Sequence, residues 1–222
     1  MIIAIDGPAA SGKSTTAKLL ADKIKFIHLN TGLLYRGVTY AFIRKNLINK
    51  NNFSIKDFFN NNHIILSGKN LNKALWNDSD ITEYLSSEDI NKNINFISNN
   101  KVIREYLVLQ QRILAEKKKI VCEGRDIGTV VFPNADYKFF LSASLESRIE
   151  RRYVEMKCKN HQIDKDEIKM NLMKRDKNDI ERKNSPLLKA NNAIEIDTTN
   201  ISINDQVLII YNKIKQGIMN DK

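Results

Sequence analysis

Two cysteines and three histidines in 222 residues leave little material for a metal centre or a disulfide framework. Cys122, Cys158, His28, His63 and His161 fall into no metal-ligand spacing. A reduced, cytoplasmic compartment is the expectation. Proline (three) and glycine (eight) are scarce, and 42% of the residues are hydrophobic against 28% charged, so the chain is not disordered as a whole and can bury a core. No run approaches the roughly 18 apolar residues of a membrane span. The opening MIIAIDGP lacks the charged start and long apolar stretch of a signal peptide. Aromatics are only 8%, with no stacking-aromatic motif, so the net charge of +10 is poor support for nucleic-acid binding. The lysines are scattered among Asn and Ile, as a coding bias would scatter them. There is no internal repeat and no linker, which leaves one domain with an insertion.

What is present is an alternation of strands and helices. Met1–Ile5, Phe26–Leu29, Lys119–Cys122, Tyr137–Leu141 and Ala193–Ile196 read as short buried strands. Helices are expected at Ser14–Lys25, Thr31–Arg44, Ser87–Ser98, Lys101–Glu116, Leu145–Met156, Ile168–Glu181 and Ile203–Gln216. In the Lys101–Glu116 helix, Val102, Tyr106, Leu109 and Ile113 supply the apolar spacing. Residues 46–62 are Asn-rich and weakly patterned. After them, Ile64–Ser67, Asn72–Trp76 and Ile81–Thr82 read as a small β insertion, with Trp76 and Tyr84 in its own core. Alternation of this kind implies a parallel sheet covered on both faces.

Between the first strand and the first helix, Gly7-Pro8-Ala9-Ala10-Ser11-Gly12-Lys13-Ser14 fits G-x-x-x-x-G-K-[ST] at every fixed position, with Thr15 following. The glycines let the backbone curl so that successive N–H groups face phosphate oxygens, and the helix adds its positive N-terminal end. Lys13 reaches the β- and γ-phosphates of ATP, and Ser14 offers its hydroxyl to Mg²⁺. Asp6, immediately before the loop, either ends the strand or sits near Mg²⁺ or substrate.

Downstream come Asn30-Thr31-Gly32-Leu33-Leu34-Tyr35-Arg36, Val102-Ile103-Arg104, Glu123-Gly124-Arg125-Asp126-Ile127-Gly128-Thr129-Val130-Val131-Phe132-Pro133, and Arg175-Asp176-x-x-Asp179-x-x-Arg182-x-x-x-Pro186-Leu187. In this order and spacing the set resembles the bacterial-type cytidylate kinases over nearly the whole chain. The resemblance implies a three-layer α/β/α P-loop NTPase fold: a five-stranded parallel sheet, a small β insertion in the NMP-binding region and a helical lid. The core would be about 1–45, 96–144 and 190–222, the NMP-binding insert about 46–95 and the lid about 145–185. It implies phosphoryl transfer from ATP to CMP or dCMP with Mg²⁺. The partners would be small molecules, not nucleic acid or membrane, and the chain a monomer.

By the same resemblance, Thr31, Tyr35 and Arg36 would hold the acceptor phosphate and pack near its ribose. Arg104 and Arg125 would grip the phosphate or the base, and Asp126 would accept from the cytosine amino group. Arg175 and Asp179 would contact sugar and phosphate, and Arg182 would lie between acceptor and transferring phosphate. Arg148 and Arg152, four apart, resemble lid arginines over ATP, whereas Arg151 reads as surface. Asp197-Thr198-Thr199 falls where the family's adenine-side loop lies, or is a plain capped turn. The chemistry agrees, because a monophosphate dianion must approach a γ-phosphate that repels it, and Arg36, Arg104, Arg125, Arg175 and Arg182 could cancel that repulsion. Two positions depart from the family. Glu123 stands where relatives usually have Asp, and Asn95 falls where they have a base-contacting serine, with Ser98 as the nearby alternative.

Overall fold

The computed structural model describes residues 1–50, 52–158 and 164–220; His161 and the rest of 159–163, within the expected lid region, lie outside them. The first half runs β1 Ile2–Asp6, α1 Lys13–Ile24, β2 Ile27–Asn30, α2 Thr31–Arg44, α3 Ile55–Asn61, β3 Ile64–Ser67, β4 Lys73–Trp76, β5 Ser79–Asp80, α4 Glu88–Asn99 and α5 Lys101–Ala115. The second runs β6 Ile120–Gly124, β7 Tyr137–Ser142, α6 Leu145–Cys158, α7 Lys165–Glu181, β8 Ile194–Asp197 and α8 Ile203–Asn220. Five strands form one sheet in the order β2-β6-β1-β7-β8, flanked by helices, which is the α/β/α class expected. No helix among the described residues is long and apolar enough to cross a membrane.

The chain divides into two compact units, Met1–Phe26 with Lys119–Lys222, and Ile27–Lys118. In the first, β1 lies between β6 and β7, parallel to both, with Ile3 opposite Val121 and Tyr137. Ile3, Ala4 and Ile5 are wholly buried, as a continuous apolar run in a covered parallel strand must be. Leu20 and Ala21 of α1 and Ile210 and Ile214 of α8 join Ile5, Val121, Phe139 and Leu141 in one core. Parallel pairing brings Asp6 level with Gly124 and Phe140. The loops after β1 and β6 therefore leave the same edge of the sheet, the edge at which parallel α/β folds bind ligands.

In the second unit, β3 and β4 form an antiparallel hairpin with Ile64 opposite Trp76. The third strand is not Ile81–Thr82 but Ser79–Asp80, two residues earlier. Asn77 and Asp78 both take positive φ, 45° and 69°, and so make the tight two-residue turn that brings β5 straight back onto β4. Ile81 is buried, and Thr82 opens a 3₁₀ turn to Ser86 with its hydroxyl accepting from Ala74 N–H at 2.9 Å. The Asn-rich stretch hides α3, capped by Ser54 Oγ, which accepts from Asp57 N–H at 3.1 Å. Phe58 holds α3 against Phe42, ring centroids 4.5 Å apart. Trp76 and Tyr84 both pack on Tyr40, but Tyr84 is 47% exposed and is no core residue.

Helix α5 buries a different face from the one its apolar spacing suggested. Val102, Leu109 and Ile113 are 51–56% exposed, whereas Ile103, Arg104, Leu107, Val108, Gln111 and Ala115 are buried. Two apolar stripes run side by side along this helix, and spacing alone does not choose between them.

Candidate active site

The P-loop closes tightly around its own backbone. A Cβ on Gly7 would stand 2.2 Å from the Leu141 carbonyl oxygen, so no side chain fits there. Gly12 takes φ 88°, in the left-handed region that favours glycine, and begins α1. Pro8, Ala9, Ala10 and Ser11 form the bend between these glycines. Ser14 and Thr15, in the first turn of α1, are exposed. Lys13 is buried, and its Nζ donates to the Pro8 carbonyl at 3.0 Å. Burial, then the neighbouring Arg125 cation, lower its pKa to about 7; Glu123 opposes them and Arg175 adds to them. Lys13, Arg125 and Arg175 thus already feel one another.

Asp6 is buried, and its two oxygens accept from Ile127 N–H at 2.8 Å and Gly128 N–H at 2.7 Å. Burial raises its pKa to about 6 against those two bonds. These contacts pin Asp126–Phe132, where Ile127–Val131 form a single wide helical turn and Val131 N–H donates to the Asp126 carbonyl at 3.1 Å. Asp6 therefore braces the Gly-Arg-Asp loop. Glu123 and Cys122 are buried on β6, and burial pushes the Cys122 thiol well up, so it is inert.

A charged ring follows. Arg125 Nε donates to Asp179 Oδ2 at 2.8 Å, and Arg182 Nη1 lies 3.5 Å from Asp179 Oδ1. Arg182 Nη2 lies 3.7 Å from Asp126 Oδ1, and its Nε donates to the Ser185 carbonyl at 2.6 Å. Burial alone would raise the Asp179 pKa, but Arg125, Arg175 and Arg182 together hold it below the ordinary value. Ion pairs thus bring together Arg125, Asp126, Asp179 and Arg182, and the charges of Lys13 and Arg175 act on members of the set.

The two expected lid arginines part company. Arg148 is buried, pairs with Asp176 and donates to the Ala9 carbonyl at 3.3 Å. Arg152 is partly exposed and pairs with Glu155 one turn on, at 2.8 Å. Arg151, expected at the surface, is half-buried with its guanidinium anchored. Its Nη1 donates to Thr198 Oγ1 at 3.0 Å and its Nη2 to the Thr198 carbonyl. Thr198 is wholly buried, with its Oγ1 3.0 Å from the Ser11 carbonyl and 2.8 Å from that of Ser142. Thr199 turns back on Asp197. On α1, the Thr16 hydroxyl donates to Gln206 Oε1 at 2.7 Å. Asp176, Arg151, Thr198 and Gln206 carry these contacts across 28 to 190 residues of sequence, and no local spacing announces them.

In the second unit, Thr31 and Tyr35 are buried at the start of α2. Arg36 donates to the Leu85 carbonyl at 2.7 Å and to Asn91 Oδ1 at 3.0 Å. Arg104 is buried, donates to the Ser98 carbonyl at 3.2 Å and sits 5.3 Å over the Tyr35 ring. Asn95 lines an open groove of about 490 Å³ with Asn49, Lys92, Asn93, Phe96, Asn99 and Asn100, and no arginine lines it. Ser98 Oγ turns toward the Asn95 carbonyl at 3.5 Å.

Some known proteins resemble the chain in sequence and others in fold. A cytidylate kinase of Fusobacterium nucleatum is 42% identical over 216 residues, 97% of this chain and 98% of its own. One of Listeria innocua is 39% identical over 218 residues, 98% and 97% of the two chains. Among solved structures, an uncharacterized protein from Eubacterium ventriosum matches with TM-score 0.50 at 14% identity, over 97% of this chain and 98% of its own. TT1252 from Thermus thermophilus matches with TM-score 0.50 at 15% identity, over 97% and 96%. At that identity the two structures speak for the fold alone. The sequence profile of the cytidylate kinase family matches residues 3–216, from the first strand to the last helix, and the chain belongs to that family.

Proposed function

We propose that the chain transfers the γ-phosphoryl group of ATP to CMP or dCMP, yielding ADP and the nucleoside diphosphate. The observation that carries this reading is the buried ring of Arg125, Asp179, Arg182 and Asp126 in the same unit as Lys13. A ring of this kind holds guanidinium groups in fixed directions before substrate arrives, which is how a site stabilises charge without reorganising during reaction.

ATP lies with its phosphates on the N–H groups of Gly7–Thr15, and Lys13 takes the β- and γ-oxygens. Arg148 and Arg152 serve the donor phosphates from α6. An oxygen of the acceptor monophosphate attacks the γ-phosphorus, the bond to the β-phosphate oxygen breaks, and ADP leaves. Arg125, Arg175 and Arg182 offset the repulsion between the two anions and align the attack. Thr31, Tyr35 and Arg36 hold the acceptor phosphate and pack near its ribose, Arg104 grips the phosphate or the base, and Asp179 accepts from a ribose hydroxyl. Asp126 accepts from the cytosine amino group. Uracil offers a carbonyl in place of that amino group, and a carboxylate gains no hydrogen bond from it. Asn95 remains the candidate further base contact.

Mg²⁺ bound with ATP would neutralise part of the phosphate charge. Among the described residues no group of three His, Cys, Asp or Glu side chains could hold a metal alone, which suits an ion carried mainly by the nucleotide. The exposed Ser14 hydroxyl fits as the protein's ligand, whereas both Asp6 oxygens already accept backbone N–H groups.

The test is a steady-state panel of CMP, dCMP, UMP and AMP with ATP. CMP or dCMP should lead in kcat/KM. A lead for UMP or AMP contradicts the base assignment.

A further inference from the structure

Three members of the Arg175-Asp176-x-x-Asp179-x-x-Arg182 run belong to the acceptor side, and Asp176 does not. Its Oδ1 accepts from Ala9 N–H of the P-loop at 3.3 Å, and its Oδ2 pairs with Arg148 Nη1. The same Nη1 donates to the Ala9 carbonyl at 3.3 Å. Both polar groups of Ala9 are thereby gripped by one ion pair that spans α6 and α7. The Ala9 side chain is buried among Ile168 and Leu172 of α7, with Leu145, Ile149 and Tyr153 of α6 against it. The Arg148 and Asp176 side chains are only 10% and 14% exposed. A counter-charge offsets part of the cost of holding a guanidinium at that depth. The bonds of Arg148 to Asp176 and to Ala9 both use Nη1.

We infer that Asp176 is a positioning residue of the donor side: it fixes Arg148 and the Ala9 peptide in register for ATP. Asp176 acts through Arg148 and does not touch substrate. Its place on α7, between Arg175 and Asp179, ties the helix that serves the acceptor to the loop that serves the donor. The inference rests on the proposed role of Arg148 at the donor phosphates.

The test is a double-mutant cycle of Asp176→Asn and Arg148→Ala. It is read by the KM values for ATP and CMP, kcat, and calorimetric affinity for a non-hydrolysable ATP analogue. Asparagine keeps the shape and an acceptor for Ala9 N–H but turns a donor or a neutral oxygen toward Arg148. Asp176→Asn should raise the ATP KM and weaken the analogue about tenfold, with the CMP KM changed less than about twofold. In the Arg148→Ala background the same substitution should cost less than about twofold more. Asp176→Glu should recover part of the loss. The inference is overturned if analogue affinity holds within about twofold in Asp176→Asn, if the two losses simply add, or if Asp176→Asn lowers the melting temperature while leaving the ATP KM unchanged. Analogue binding does not depend on the acceptor, so wild-type failure to phosphorylate CMP would overturn the proposed function and still leave the cycle to decide on Asp176.

Discussion

Arginines in the two compact units are held in different ways. In Met1–Phe26 with Lys119–Lys222, Arg125 and Arg182 share Asp179, and Arg148 pairs with Asp176. In Ile27–Lys118, Arg36 is fixed by a carbonyl and an amide, and Arg104 by a carbonyl beneath an aromatic ring. Carboxylate partners give direction and depth, but they neutralise part of the charge that a phosphate needs. A carbonyl or amide acceptor gives direction without bringing a formal counter-charge of its own. The two sets should therefore respond differently when broken: the carboxylate-paired set through stability and rate together, the other mainly through acceptor binding.

The largest effect is expected at Arg125. Arg125→Ala should lower kcat/KM about 10³-fold in steady-state assays, because it removes a fixed cation aimed at developing charge. Asp179→Asn comes next. It leaves Arg125 and Arg182 without their shared carboxylate, and urea denaturation should show a loss of about 3 kcal/mol. A loss below about 1 kcal/mol would mean that the ring is not a structural unit. Arg104→Ala should raise the acceptor KM about tenfold, and the lost bond to the Ser98 carbonyl should cost about 1 kcal/mol of stability. Equal stability losses for Asp179→Asn and Arg104→Ala would erase the contrast between the units.

The smallest effect is in pH. Lys13 has its pKa lowered to about 7, by burial and then by Arg125. As pH rises through 7 in the free protein Lys13 loses its proton, and bound triphosphate restores the charge. ATP binding at pH 8 should therefore take up a proton, visible by calorimetry in buffers of different ionisation enthalpy, and affinity should weaken by at most about tenfold per pH unit above 7. Arg125→Ala removes a neighbouring cation, so the uptake should shrink. The folded pKa lies below the unfolded value, so the unfolded chain binds more protons between the two. This group's contribution to stability therefore rises with pH through that window.

Much of this was legible in the residues. The P-loop fits its pattern in place, between a buried strand and a helix, and α2 spans Thr31–Arg44 as its pattern indicates. What failed did so for physical reasons. On α5, Val102 and Leu109 compete with the adjacent Ile103, Leu107 and Val108, and the buried face also takes in Arg104, which no apolar count would place there. Helix α3 is short and Asn-rich, and Phe58 and Phe59 make it by packing on Phe42 and Tyr106. Arg151 looked like surface because its partner, Thr198, is 47 residues away. Asp176 sat in a recognised motif, yet its task depends on how α6 meets α7. Spacing reveals which side chains share a helix face; it does not reveal which face the next helix covers.

The most direct test is the rate of CDP formation from ATP and CMP by the wild-type chain and by Lys13→Ala, followed by chromatography of the nucleotides. The wild type should form CDP and ADP in equal amounts, and Lys13→Ala should lose at least about 10²-fold in kcat. Lys13→Ala activity within about tenfold of wild type, or ADP released without CDP, would contradict the assignment of the donor site and of the transfer it performs.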